Sequence, residues 1–227
     1  MDKRTKDILA TLKTKTAIRN RIESMLVARF DELRNVIRNI TVEYNQALDA
    51  ESDLGLQLTS KLAGDHVIQL EIGEDMLLFV RHNSIFQFDR DHGVWKQDYV
   101  TQDPSRSYSG IISVYNFLSD SFRFDRDEDL GYMIARLFIN AEGAFFVEGK
   151  RQRSMGVDSF GKCAIDAVHL RKFVETAMRY AIDFDLLAPP YDAVKVTDLI
   201  HMKMEIQSSK SKTGKRLGFQ FNSDDVR

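Results

Sequence analysis

The chain has 227 residues, 43% of them hydrophobic and 29% charged, with fifteen Phe, seven Tyr and a formal net charge of −2. That make-up excludes a chain disordered throughout, and the near-neutral total gives no overall pull towards nucleic acid or a membrane. The single cysteine, Cys163, excludes an intrachain disulfide and fits a reducing, cytoplasmic setting.

No apolar run approaches the ~20 residues that a membrane-spanning helix needs. Residues 1–20 are rich in Lys, Arg and Thr and carry no signal-peptide apolar stretch.

The first fifty residues contain no Gly and no Pro. From Ile22 onward the apolar residues recur at helical spacing, and from Leu26 the steps alternate between four and three. Phe30, Ile37 and Tyr44 take one seam position of a heptad; Leu26, Leu33, Ile40 and Ala47 take the other. A helix over residues 8–48 would be about 60 Å long at 1.5 Å per residue. That exceeds an ordinary domain helix, so the reading is of a segment, residues 1–54, that reaches beyond its own domain or pairs with another helix. Residues 49–55, acidic and ending in Gly55, are the predicted stop.

Residues 55–207 read as an α+β domain. Short apolar or alternating runs at 66–72, 76–81, 85–89 and 94–100 are separated by turn-forming residues, which predicts an antiparallel meander. Residues 101–110, with Pro104, read as a loop. Residues 111–124 are apolar and aromatic and fit strand and helix equally. Residues 125–129 form an acidic turn, and 137–140 with 144–147 predict a hairpin. A second amphipathic helix is expected over 162–187, capped by Asp158 or Ser159, stopped by Pro189-Pro190 and packed on the sheet. Residues 191–204 read as a last strand or strand–helix element, and 208–227 as a basic polar tail with a short apolar segment.

Few residues suggest chemistry. Glu148 and Lys150 follow an apolar strand as acid-x-Lys, the local form of a metal-dependent nuclease half-site. There the acid would hold Mg²⁺ and the lysine would stabilise charge on the attacking oxygen or phosphate. Such a site needs a second acid, to be drawn from residues 120–129; otherwise Glu148 and Lys150 are a solvated strand end. His66, His82, His92, His169 and His201 show no ligand-pair spacing, although His82 and His92 flank one predicted strand. Cys163, near a predicted helix start, is either an activated thiol or a small buried residue. No phosphate-binding loop is present, since the Gly214-Lys215 pair lacks the second glycine. No cofactor and no metal are expected.

Basic residues gather in three places: the first turns of the opening helix, Lys150 with Arg151 and Arg153, and the tail with Lys210, Lys212, Lys215 and Arg216. Brought together, they would form a nucleic-acid-binding patch. The favoured reading is a non-enzymatic binding or assembly module. Its opening helix would hold a protein partner, a second copy of the chain included, through Leu26, Phe30, Leu33, Ile37, Ile40 and Tyr44. Nucleic-acid binding and the nuclease-like site are the alternatives.

Overall fold

A computed structural model describes residues 2–51, 56–127, 129–149, 160–183 and 199. The opening helix, α1, runs unbroken over Lys3–Glu51, 49 residues and roughly 73 Å. Seven antiparallel strands follow: β1 (Thr59–Ala63), β2 (Val67–Ile72), β3 (Asp75–Arg81), β4 (Phe86–Gln87), β5 (Tyr108–Leu118), β6 (Tyr132–Ile139) and β7 (Phe145–Gly149). They are ordered β1-β2-β3-β5-β6-β7, and the short β4 continues the line of β3 along β5. Short helices α2 (Asp98–Gln102) and α3 (Ser119–Arg123) flank β5, and α4 (Ala167–Ile182) closes the described fold. The α+β class, with a long opening helix, an antiparallel sheet and a C-terminal helix, is the one read from the sequence.

Both faces of the sheet are used. On one face, Ile68, Leu70 and Ile72 of β2, Leu77 and Phe79 of β3, and Ile112 and Val114 of β5 share a core with α1 and α4. Phe173 of α4 meets Phe79 edge-on at 6.2 Å. The two helices lie side by side in the same sense: Arg29 donates to the Ile165 carbonyl at 3.3 Å, while Tyr44 further along donates to Glu175 at 3.3 Å. Arg171 ties them again, donating to Glu43 and Glu175 at 2.8 Å each. Gly110 of β5 admits α1, because a Cβ there would come within 2.6 Å of Leu26. On the other face, Ile111, Phe138 and Phe146 form a second core with Val94, Val100 and Phe160. Phe138 and Phe146 stack at 4.8 Å, and Phe88 covers both.

Several expected elements are corrected. Residues 94–100 are not a strand but a 3₁₀ turn, Gly93–Lys96, followed by α2. The His92 ring accepts from the Val94 N–H and caps that turn, and the Trp95 indole N–H donates to the Phe88 carbonyl at 3.1 Å. Of residues 85–89 only Phe86–Gln87 pair. Residues 101–110 are not one loop: they hold the end of α2, a 3₁₀ turn over Pro104–Ser107 and the start of β5. The ambiguous stretch 111–124 is strand first and helix second; β5 ends at Leu118 and α3 follows. The sheet begins earlier than expected, with β1, whose lead-in is held where Asn45 exchanges two hydrogen bonds with the Leu58 backbone (2.9 and 2.8 Å). α4 starts at Ala167 and is capped by Asp166, which accepts from the His169 N–H at 2.9 Å. The expected caps Asp158 and Ser159 lie outside the described residues, as does the tail 208–227.

Candidate functional site

An α-helix repeats its azimuth every eighteen residues, five turns. Ile8, Leu26 and Tyr44 therefore share one line along α1, and Leu12, Phe30 and Leu48 share the next. Their surroundings divide the helix in two. Leu26 and Phe30 are buried in the helix-side core, and Tyr44 and Leu48 pack against it. Ile8 and Leu12 are each 59% exposed. Cover begins at Ile18; from Asp2 to Ala17 every residue is exposed.

The opening stretch of α1, about 22 Å from Lys3 to Ala17, thus stands clear of the rest of the described fold. It stays helical because nothing in it breaks a helix, and because the body has already supplied the nucleus from which each further residue only propagates. Within the first 21 residues seven basic side chains, Lys3, Arg4, Lys6, Lys13, Lys15, Arg19 and Arg21, stand against Asp2 and Asp7. All seven are exposed. Where the helix leaves the body, a cleft of about 260 Å³ opens between it and the β3–β4 connection. Lys15, Arg19, Ser84 and Tyr108 stand around it with Ile18 and Ile85.

The seam named from the sequence lies elsewhere. Leu26, Phe30, Leu33, Ile37 and Ile40 are buried among the chain's own strands and α4, and Tyr44 is half-buried beside Glu175. The uncovered part of the stripe is its start, at Ile8 and Leu12. Helical period alone flags which face shuns water; only the extent of the sheet decides which turns remain bare.

Glu148, one residue before the end of β7, lies directly across from Arg136 of β6, which in turn pairs with Ser113 of β5. The Arg136 Nε donates to the Glu148 carboxylate at 2.8 Å, and Nη2 donates to the same oxygen. His82 joins this row with Nε2 3.0 Å from the Ser113 hydroxyl; burial, then the nearby Arg136, lowers its pKa. Glu148 therefore meets a guanidinium, not a second acid. The acidic run 120–129 lies before Tyr132, whereas Glu148 sits across from Arg136, four residues into β6 and roughly 13 Å further along. Lys150, Arg151, Arg153, Lys212, Lys215 and Arg216 lie outside the described residues, and so does His201. Among the described residues no group of three or more His, Cys, Asp or Glu is placed to hold a metal ion, and no helix is long and apolar enough to cross a membrane. His82 and His92, which flank one predicted strand, have separate partners, Ser113 and the Val94 N–H.

One further polar cluster went unread in the sequence. Tyr99 of α2 donates to Glu142 at 2.7 Å and accepts from Asn140 at 2.9 Å, while Arg106 donates to Glu142 at 3.0 Å. The guanidinium also lies over the Tyr99 ring at 4.3 Å. Burial pushes the Tyr99 hydroxyl up to about 12. These groups satisfy one another and clasp α2 to the β6–β7 turn; they present no open chemistry.

Comparison with protein-family models, with curated proteins and with solved structures finds no match.

Proposed function

We propose that this chain is a binding and assembly module whose working element is the projecting start of α1, with a second copy of the chain as partner. The observation that supports this reading is the continuation of the buried apolar stripe into open solvent at Ile8 and Leu12, in register with Leu26 and Phe30. An apolar line of this kind gains free energy whenever a second surface covers it. The cationic flanks oppose pairing of two such helices, since five more positive than negative side chains lie within residues 1–21. Added salt screens that repulsion, so self-association should strengthen as ionic strength rises.

The test is mass in solution by size exclusion with light scattering, at low and high salt. The native chain is expected above the single-chain mass, more so at high salt, and Ile8→Glu with Leu12→Glu is expected to return it to one chain with unchanged unfolding. A native chain that stays single at every salt concentration refutes self-assembly through this face. The basic excess of the same segment favours one second reading, nucleic-acid binding. That reading predicts the opposite salt response, with affinity falling steeply as salt rises, and loss of binding on neutralising Lys13, Lys15 and Arg19.

A further inference from the structure

An exposed thiol is by itself an ordinary surface feature. What distinguishes Cys163 is the arrangement beside it. Its Sγ lies 3.9 Å from His169 Nε2, and the other ring nitrogen, Nδ1, lies 2.6 Å from Asp166 Oδ1. Asp166 is held by its role as the cap of α4, where it also accepts from the His169 backbone N–H at 2.9 Å. Those bonds, backbone first and ring second, keep its carboxyl below the ordinary carboxylate range. An ionised Asp166 can only accept, so Nδ1 carries a proton, and in the neutral ring Nε2 keeps its lone pair towards the thiol.

The mount is stiff. The His169 ring packs edge-on against Phe145 at 4.9 Å. The segment before α4 is pinned by the Ala144–Ala164 bridge, by the Ile165 N–H donating to Gly143 at 2.8 Å, and by Arg29 on the Ile165 carbonyl. Thiol, imidazole and carboxylate form a line, with one ring nitrogen facing each neighbour. A line is the geometry of a proton relay, and a metal cage would need the three to converge on one point. Cys163 is also exposed, so a small reagent can reach it.

We propose that Cys163 is a nucleophilic thiol, with His169 as its base and Asp166 as the positioning residue, and that it is a site of modification by small-molecule disulfides. In the step, His169 Nε2 takes the thiol proton and Sγ attacks one sulfur of the disulfide. The S–S bond of the reagent breaks as the Cys163–sulfur bond forms, and the departing thiolate takes the proton back from His169. One thiol and one disulfide yield one mixed disulfide and one thiol, with no other oxidant. As the only cysteine in the chain, Cys163 has no intrachain partner to resolve the adduct. This proposal is independent of the projecting helix.

The test uses the full chain and oxidised glutathione, with the rate of mixed-disulfide formation followed by intact mass across pH. The native chain should react about tenfold faster at neutral pH than the same chain unfolded in guanidinium, as expected when a base assists a thiol. His169→Gln and Asp166→Ser, the latter keeping an N-cap residue, should each bring the rate down to the unfolded value. In both variants the rate should rise steeply with pH, where the native profile is flatter. A native rate equal to that of the unfolded chain overturns the proposal without any variant, and so does a native pH profile unchanged by either substitution.

Discussion

The packing of α1 on its own sheet makes a quantitative prediction at Leu33. The side chain is fully buried (0% exposed) in the core built by α1, α4 and the sheet. Leu33→Ala removes three carbons and leaves a cavity, a change that costs about 3–5 kcal/mol at well-packed sites. The upper part of that range applies, because the surrounding elements are tied in place. Arg171 bridges α4 to Glu43 of α1, and Asn45 holds the approach to β1. The wall can therefore collapse little into the void. Leu12→Ala removes the same atoms from a side chain already 59% exposed, so it should cost under about 1 kcal/mol. Urea unfolding of the two variants beside the native chain should show a gap of at least about 3 kcal/mol, and Leu33→Ala should leave the mass in solution unchanged. A Leu33→Ala variant that loses less than about 1 kcal/mol while its mass falls would place the seam between chains, and the reasoning would be refuted.

Other expectations follow from single sites. The Tyr99 hydroxyl, raised from its ordinary range to about 12, binds its proton more tightly in the folded chain. The stability that it contributes is therefore fully present below about pH 10 and is lost as pH rises from there through about 12. Tyr99→Phe should flatten that alkaline loss in denaturant midpoints measured across pH, and should cost about 1–2 kcal/mol at neutral pH by leaving the Asn140 amide without its acceptor. Glu142 is shifted the other way, held down first by the Tyr99 hydrogen bond, so its share is present above the ordinary carboxylate range and is lost as pH falls. At the end of β7, Gly149 has φ +156° and an added Cβ would stand 2.4 Å from the Ile134 carbonyl oxygen. Gly149→Ala should therefore lower thermal stability by on the order of 2–3 kcal/mol, whereas Ala144→Gly nearby should cost about 1.

What could be read in the sequence was what local chemistry dictates. β2 alternates buried and half-buried residues along its whole length, and the period-2 pattern that this imposes located it to within a residue. β5 resisted because it is central: it is buried on both faces, so its run has no alternation to separate it from a buried helix. Val94 and Val100 looked like strand ends because both are buried, yet they enter the second core from a capped 3₁₀ turn and a short helix. β1 was invisible for the opposite reason. Thr59, Ser60 and Lys61 carry no apolar signal, and the strand exists because Asn45 and β2 hold it at the sheet edge. Cys163 could be singled out as a thiol near a helix start. The two groups that give it chemistry depend on where that start falls: only once Asp166 is the cap does His169, three residues on, turn one nitrogen to it and the other to Cys163.

The opening helix shows the same limit in its sharpest form. A stripe with heptad spacing states that one face avoids water, but it does not state whether a partner or the chain's own sheet covers that face. Length separates the two. The body covers α1 from Ile18 to about Leu48, roughly 45 Å, whereas the helix is some 73 Å long. If the excess were only a helix running on for want of a stop signal, its side chains would have no reason to keep the azimuth of the buried stripe. Ile8 and Leu12 do keep it, five turns before Leu26 and Phe30, whereas Lys15 and Arg19 take the azimuths of Leu33 and Ile37 and bound the apolar line on one side. On the proposed reading, this uncovered apolar line is the surface that a second copy of the chain would cover.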